Sequence, residues 1–288
     1  IFNSDGKRVL VSVDKNIQIS DSIDYALLCF KIPTKRDFLR GEMKFERWLK
    51  HATLKIKDHT EISKSWKGNF NFIKEDIEKG IKGFRSPQIG ALYAILSHLQ
   101  TNGDKGIVVM PTGTGKTETM ISALVANQCE KLLVSVPSDA LREQLFRKFY
   151  TLGLLKDFNI ITKEALNPIV GIIRKKFKDK DELQRFLSKV NVVVTTMDIL
   201  SGSKQEQKAI MSDVFSHYFI DEAHHSEAKT WSEFIDLFGK HKVFLFTATP
   251  FRNDQKRLDG KFIYEFSLKA AQEQGYYKNI SFKPIREY

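Results

Sequence analysis

The sequence predicts an α/β fold, a parallel sheet with helices on both faces, preceded by a small α+β region. Three observations carry that expectation. From residue 106 onward, short β-branched runs alternate with loop signals and helical stretches, the pattern of parallel strands joined by crossover helices. A polar cluster follows each of five such runs, so all five would line the carboxyl edge of one sheet, where open α/β sheets bind ligands. The chain has 288 residues, 42% of them hydrophobic, which is enough for a sizeable core.

Taken in order, residues 1–83 form the small region, with no assignable role. RVLVSV (8–13) and YALLCFKI (25–32) read as strands. KRDFLRGEMKFERWLKHA (35–52) spaces Phe38, Leu39, Phe45, Trp48 and Leu49 as one helical face, so a helix is expected there. Core packing is the ordinary reading of Trp48 and Trp66, and stacking on nucleic acid the other. Residues 84–288 form the second domain. There GIVVM (106–110) precedes PTGTGKTETM, KLLVSV (131–136) precedes PSDALREQ, and NVVV (191–194) precedes TTMDIL. HYFI (217–220) precedes DEAHH, and KVFLF (242–246) precedes TATP. A helix is expected near 116–127. The basic run RKKFKDK (174–180) reads as a solvated helix face, with phosphate contact as the alternative.

Composition narrows the class. The net charge is +11, from 46 basic and 35 acidic residues, which favours a polyanionic partner such as nucleic acid. Cys29 and Cys129 do not make a disulfide framework, so a reducing, cytoplasmic setting is the default. No apolar run approaches membrane-spanning length and no signal peptide is evident, so no membrane partner is expected. The chain begins at Ile1 rather than Met and is read as a segment.

The chemistry sits in two of the clusters. In PTGTGKT, which Pro111 opens, Gly113 and Gly115 let the backbone curl so that the amide N–H groups of Thr112, Gly113, Thr114, Gly115 and the residues after them face a phosphate. Lys116 supplies a cation for the terminal phosphates, Thr117 a hydroxyl for Mg²⁺, and Glu118 follows them. Met110 stands where the usual pattern has glycine. DEAHH poses a choice. Two acids beside two histidines could hold zinc, but adjacent His224 and His225 diverge on a helix, and no further Cys or His cluster completes the shell. An Asp-Glu pair ending a strand beside a phosphate loop suits an ATPase: Asp221 for Mg²⁺, Glu222 to orient or deprotonate water.

PTGTGKT, DEAHH and TATP, in that order, resemble motifs I, II and III of superfamily 2 helicases and translocases, in the DEAH-type, restriction-enzyme-like branch. The resemblance covers residues 84–288 and implies a first RecA-like motor domain using ATP and Mg²⁺. It implies that Gln88 of FRSPQ recognises adenine, with Arg85 nearby. It also implies that Pro137 and Ser138 (motif Ia) and Thr195 and Thr196 (motif Ib) touch a phosphate backbone, and that Thr247 and Thr249, with His225, couple the two activities. The catalytic set is then Lys116, Asp221, Glu222 and His225. The run SPQIGALYAILSHL followed by GIVVMPTGTGKTETM is also similar to the helicase subunit of the Hachiman anti-phage defence system. Motifs of a second RecA-like domain are absent from this chain, so weak hydrolysis is expected of it. The implied function is an ATP-dependent DNA helicase or translocase in DNA restriction or anti-phage defence, with DNA and a nuclease as partners. A nucleotide-gated scaffold that docks a nuclease, and an RNA helicase, are the alternatives.

Overall fold

The computed structural model describes residues 1–4, 6–40, 45–51, 57–101, 103–223, 233–239, 242–251 and 257–276. The chain divides into two compact units, Ile1–Lys57 and Asp58–Tyr288.

The first unit is a sheet of β1 (Phe2–Ser4), β2 (Lys7–Ser12), β3 (Tyr25–Cys29) and β4 (Phe45–His51) in that spatial order, with α1 (Lys35–Arg40) between the last two strands in sequence. β2 and β3 run parallel, whereas β1 and β4 pair antiparallel to their neighbours. Val9, Leu27 and Cys29 make its small core. The helix expected over 35–52 is therefore corrected: it stops at Arg40, and Phe45–His51 is a strand. Apolar spacing in FERWLKH fits either period, and pairing with β3 decides for the strand, with register shifts that absorb the irregularity. Trp48 is accordingly 39% exposed, beside Tyr25 and His51, and is not core.

The second unit begins with α2 (His59–Ser65), closed by a capping box in which Asp58 and Glu61 exchange side-chain and backbone bonds. It continues α3 (Ser86–His98), β5 (Gly106–Val109), α4 (Lys116–Ala126), β6 (Leu132–Val136), α5 (Asp139–Thr151) and β7 (Val170–Ile172). Next come α6 (Lys180–Leu187), β8 (Val192–Thr196), α7 (Met197–Ser201), α8 (Gln205–Val214), β9 (His217–Asp221) and β10 (Val243–Thr247). β11 (Lys261–Glu265) and α9 (Leu268–Glu273) complete the described elements. The seven strands lie in the order β11-β5-β10-β9-β6-β8-β7, and every neighbouring pair is parallel.

Strand residues alternate between two cores, because successive side chains point to opposite faces. Val108, Val134, Val194, Phe219 and Phe244 join α2 to α5 on one face; Ile107, Leu133, Val193, Tyr218 and Leu245 join α6 to α8 on the other. A sheet covered on both sides explains why these strands read as continuous apolar runs rather than alternating ones. This is the RecA-like architecture. The five expected strands are present, each displaced by no more than a residue or two. β7 and β11 were not expected. Residues 174–179 leave β7 as an irregular segment rather than a helix, and α6 starts only at Lys180. Residues 58–83, which the sequence groups with the N-terminal region, belong by packing to the second unit: Trp66 is 1% exposed in the sheet core, and its Nε1 donates to the Leu166 carbonyl at 2.8 Å.

Candidate functional site

The carboxyl ends of β5, β6, β8, β9 and β10 bring the expected clusters to one edge. After Val109, the Met110 amide donates to the Thr247 carbonyl at 2.9 Å, fastening the start of the glycine loop to the end of β10. Pro111 accepts from Thr114, through the amide at 3.2 Å and the hydroxyl at 2.6 Å, so buried Thr114 braces the turn from inside. Thr112 and Gly113 are left exposed at its tip. Gly113 and Gly115 have φ of +86° and +98°, a region open to glycine. At Gly115 a Cβ would stand 2.2 Å from Gln88 Nε2, so a side chain there would drive Gln88 from its place.

Lys116 opens α4. It is 8% exposed, its Nζ lies 3.0 Å from Glu222 Oε1, and it donates to the Met110 carbonyl at 3.5 Å. The unpaired amides of the first turn of α4 and the helix dipole favour an anion at the same point. Thr117 lines the cleft, and Glu118 is ion-paired with Lys148 of α5. Gln88 and Arg85 enter from α3 and its cap. The Arg85 amide donates to Gln88 Oε1 at 2.8 Å, Arg85 Nη1 to the Gly113 carbonyl at 2.8 Å, and Gln88 Nε2 to the Gly115 carbonyl at 3.4 Å.

Asp221 ends β9, 4% exposed, and accepts from the Glu222 amide at 3.0 Å. Burial pushes its carboxyl up to about 6; the neighbouring Glu222 charge adds to this, and Lys116 opposes it. A divalent cation here would favour the ionised form. Glu222 has φ +51°, an uncommon conformation for a non-glycine residue. His224 and His225 lie outside the described residues, and among those described no group of metal-ligating side chains gathers. Thr247 is buried, and its hydroxyl donates to the Thr249 carbonyl at 2.8 Å, closing the TATP turn.

The four residues expected to meet nucleic acid are divided. Ser138 is exposed and caps α5, with Pro137 half-buried before it. Thr195 and Thr196 are buried, and the Thr195 hydroxyl donates to the Ile173 carbonyl at 3.2 Å.

A cleft of about 790 Å³ joins Arg85, Gln88, the glycine loop, Lys116, Thr117, Asp221 and Glu222 and extends beyond them. Its further wall comes from the turn around Ile77 and Ile81 and from Leu154 and Phe158, none of which the sequence singled out. The turn signals at Gly80 and Gly83 were the only hint. A second cavity, about 440 Å³, lies at the amino edge of the sheet. Its charges are engaged internally, His59 with Glu130 at 3.0 Å and Lys131 with the Leu187 and Val190 carbonyls.

The main cleft fits a nucleoside triphosphate with a divalent cation. Its loop turns on glycines at positive φ, a buried ammonium stands at the start of α4, and the Thr117 hydroxyl and the Asp221 carboxylate both line it.

A family model described as "Type III restriction enzyme, res subunit" matches residues 81–252, more than half of the chain. The ATP-dependent helicase FUN30 of Saccharomyces cerevisiae is 29% identical over 171 residues, which are 57% of this chain and 14% of that protein. Among solved structures, a nuclease-deletion mutant of the Type ISP restriction-modification enzyme LlaGI, in complex with a DNA substrate mimic, is 19% identical with a TM-score of 0.43, over 68% of this chain and 21% of its own. The UvsW helicase from bacteriophage T4 is also 19% identical, with a TM-score of 0.40, over 59% of this chain and 54% of its own. The chain thus spans a minor part of FUN30 and of LlaGI and about half of UvsW.

Proposed function

The chain belongs to the Type III restriction enzyme res subunit family and is a helicase-like ATP-dependent motor domain, and from that premise we propose that it uses ATP hydrolysis to translocate on or unwind DNA, in restriction or anti-phage defence. The observation that carries the proposal is the meeting of Lys116 and Asp221-Glu222 at one sheet edge, with Lys116 Nζ 3.0 Å from the Glu222 carboxylate. In this reading the amides of 113–117 and Lys116 hold the β and γ phosphates. Thr117 and Asp221 hold Mg²⁺, which when bound supplies Lewis-acid stabilisation of phosphate charge. Glu222 orients the attacking water and takes its proton. Gln88 and Arg85 take the base, while Thr247 and Thr249 link the site to the strand-binding edge, a role shared with His225. Ser138, with Pro137 before it, meets the phosphate chain of DNA, while Thr195 and Thr196 are buried in β8 and take no part. A nuclease is the proposed partner, and similarity to the Hachiman helicase subunit supports the defence setting.

Lys116→Ala tests the core of this. Removing charge-assisted bonds to phosphate, worth roughly 1.5–3 kcal/mol, should weaken Mg²⁺-ATP binding by about ten- to a hundredfold. Isothermal titration of native and variant protein measures it, and an unchanged affinity would sink the assignment.

A further inference from the structure

Tyr276 stands at the far end of the described chain, yet it reaches back to the nucleotide cleft. Its place is set by local structure. The Phe266 amide donates to the Val109 carbonyl at 2.9 Å, anchoring the entry to α9 beside the strand that feeds the glycine loop. α9 then ends in a paired turn: Gly275, at φ +73°, donates to Gln272 at 3.0 Å, and the Tyr276 amide to Ala271 at 2.9 Å. These are the two bonds of the helix terminator that needs a left-handed residue, and they fix the ring's direction. The Arg85 guanidinium carbon lies 5.3 Å from the ring centroid, and the hydroxyl donates to Glu75 Oε1 at 3.2 Å. Arg85 and Glu75 both line the cleft, and Arg85 Nη1 is also bonded to the Gly113 carbonyl.

We propose that Tyr276 is a positioning residue for the base end of the cleft, holding Arg85 from behind so that the guanidinium is presented flat to a purine ring. This rests on the nucleotide-binding reading above. A guanidinium is planar and stacks by its faces while its edges hydrogen-bond. Here Nη1 is held by the Gly113 carbonyl and the guanidinium carbon lies over the Tyr276 ring, so the side turned away from that ring is the one offered to a planar ligand. A ring held behind a cation lowers the freedom that such a long side chain would lose on binding. The hydroxyl bond to Glu75, whose amide donates to the Phe84 carbonyl at 2.9 Å, ties the same wall at a second point.

The test compares two probes on the full chain, a fluorescent ATP analogue and inorganic tripolyphosphate, both with Mg²⁺. Tyr276→Ala should weaken the ATP analogue roughly three- to tenfold, leaving tripolyphosphate within twofold of native. Tyr276→Phe, which keeps the ring and loses only the hydroxyl, should stay within about threefold for both probes. The proposal is overturned if Tyr276→Ala binds the analogue like native, loses both probes equally, or is matched by a Phe variant just as weak. A native chain that binds neither probe overturns the nucleotide reading itself and takes this proposal with it. A native chain that binds both while Tyr276→Ala is silent overturns this proposal alone.

Discussion

Glu222 is held at φ +51°, a conformation that costs a non-glycine residue on the order of 1–3 kcal/mol and persists only where its surroundings impose it. The strain aims its carboxylate at Lys116 rather than along the strand. Glu222→Gln preserves size and backbone while removing the ability to take a proton. In the ATPase it should retain ATP affinity and lose about 10²–10⁴ in turnover, measured by phosphate release beside equilibrium binding. Normal turnover in that variant would refute the role given to Glu222. At this scale the sequence was most informative where glycine or charge marked a need. Gly115 announced a backbone at positive φ, and Asp221 with Glu222 announced a strand end with chemistry. Tyr276 carried no such mark, since nothing local to EQGYYK indicates that its ring meets Arg85. Thr195 was misleading in another way, because a hydroxyl beside a ligand edge looks available until burial and the Ile173 carbonyl claim it.

Among elements, α4 joins chemistry to stability. Its first turn faces the cleft, and the rest of it, from Met120 to Val125, is buried in the core on one face of the sheet. Just beyond its end Cys129 is 2% exposed, and burial pushes its thiol up to about 12. Cys129 should therefore resist alkylation in the native protein at pH 8, where an ordinary thiol is partly ionised and reactive, and should react fully in denaturant. Mass spectrometry of labelled peptides reads this directly, and rapid native labelling would show that the end of α4 opens. The central strands were legible because a sheet covered on both faces demands unbroken apolar runs. β11 was not, since KFIYE at the sheet edge is only partly buried and pairs with β5 through a register shift. β7 has three residues, too few for any periodicity. FERWLKH was misread because seven residues with scattered apolar positions satisfy both periods, and only the partner strand β3 chooses between them.

For the whole molecule, the net charge of +11 predicts a strong ionic component to DNA binding. Three or more phosphate contacts give a log–log slope with salt steeper than about −2 on single strands, measured by anisotropy between 50 and 200 mM salt. A flat dependence would count against a phosphate-tracking edge. Tighter binding to RNA than to DNA would favour the RNA-helicase alternative, whereas equal affinity would favour neither, since phosphate contacts alone do not distinguish the sugars. The domain boundary was the part least visible in sequence: α2 and the segment after it carry no motif, and only the burial of Trp66 and Phe84 assigns them to the sheet. With Glu222 at 3.0 Å, the Lys116 ammonium already has a counter-ion, and an entering anion must displace it. The cleft is thereby a charge threshold. On the nucleotide reading proposed above, a triphosphate gripped by several loop amides would compete for that ammonium better than a lone phosphate, and its entry would release the carboxylate.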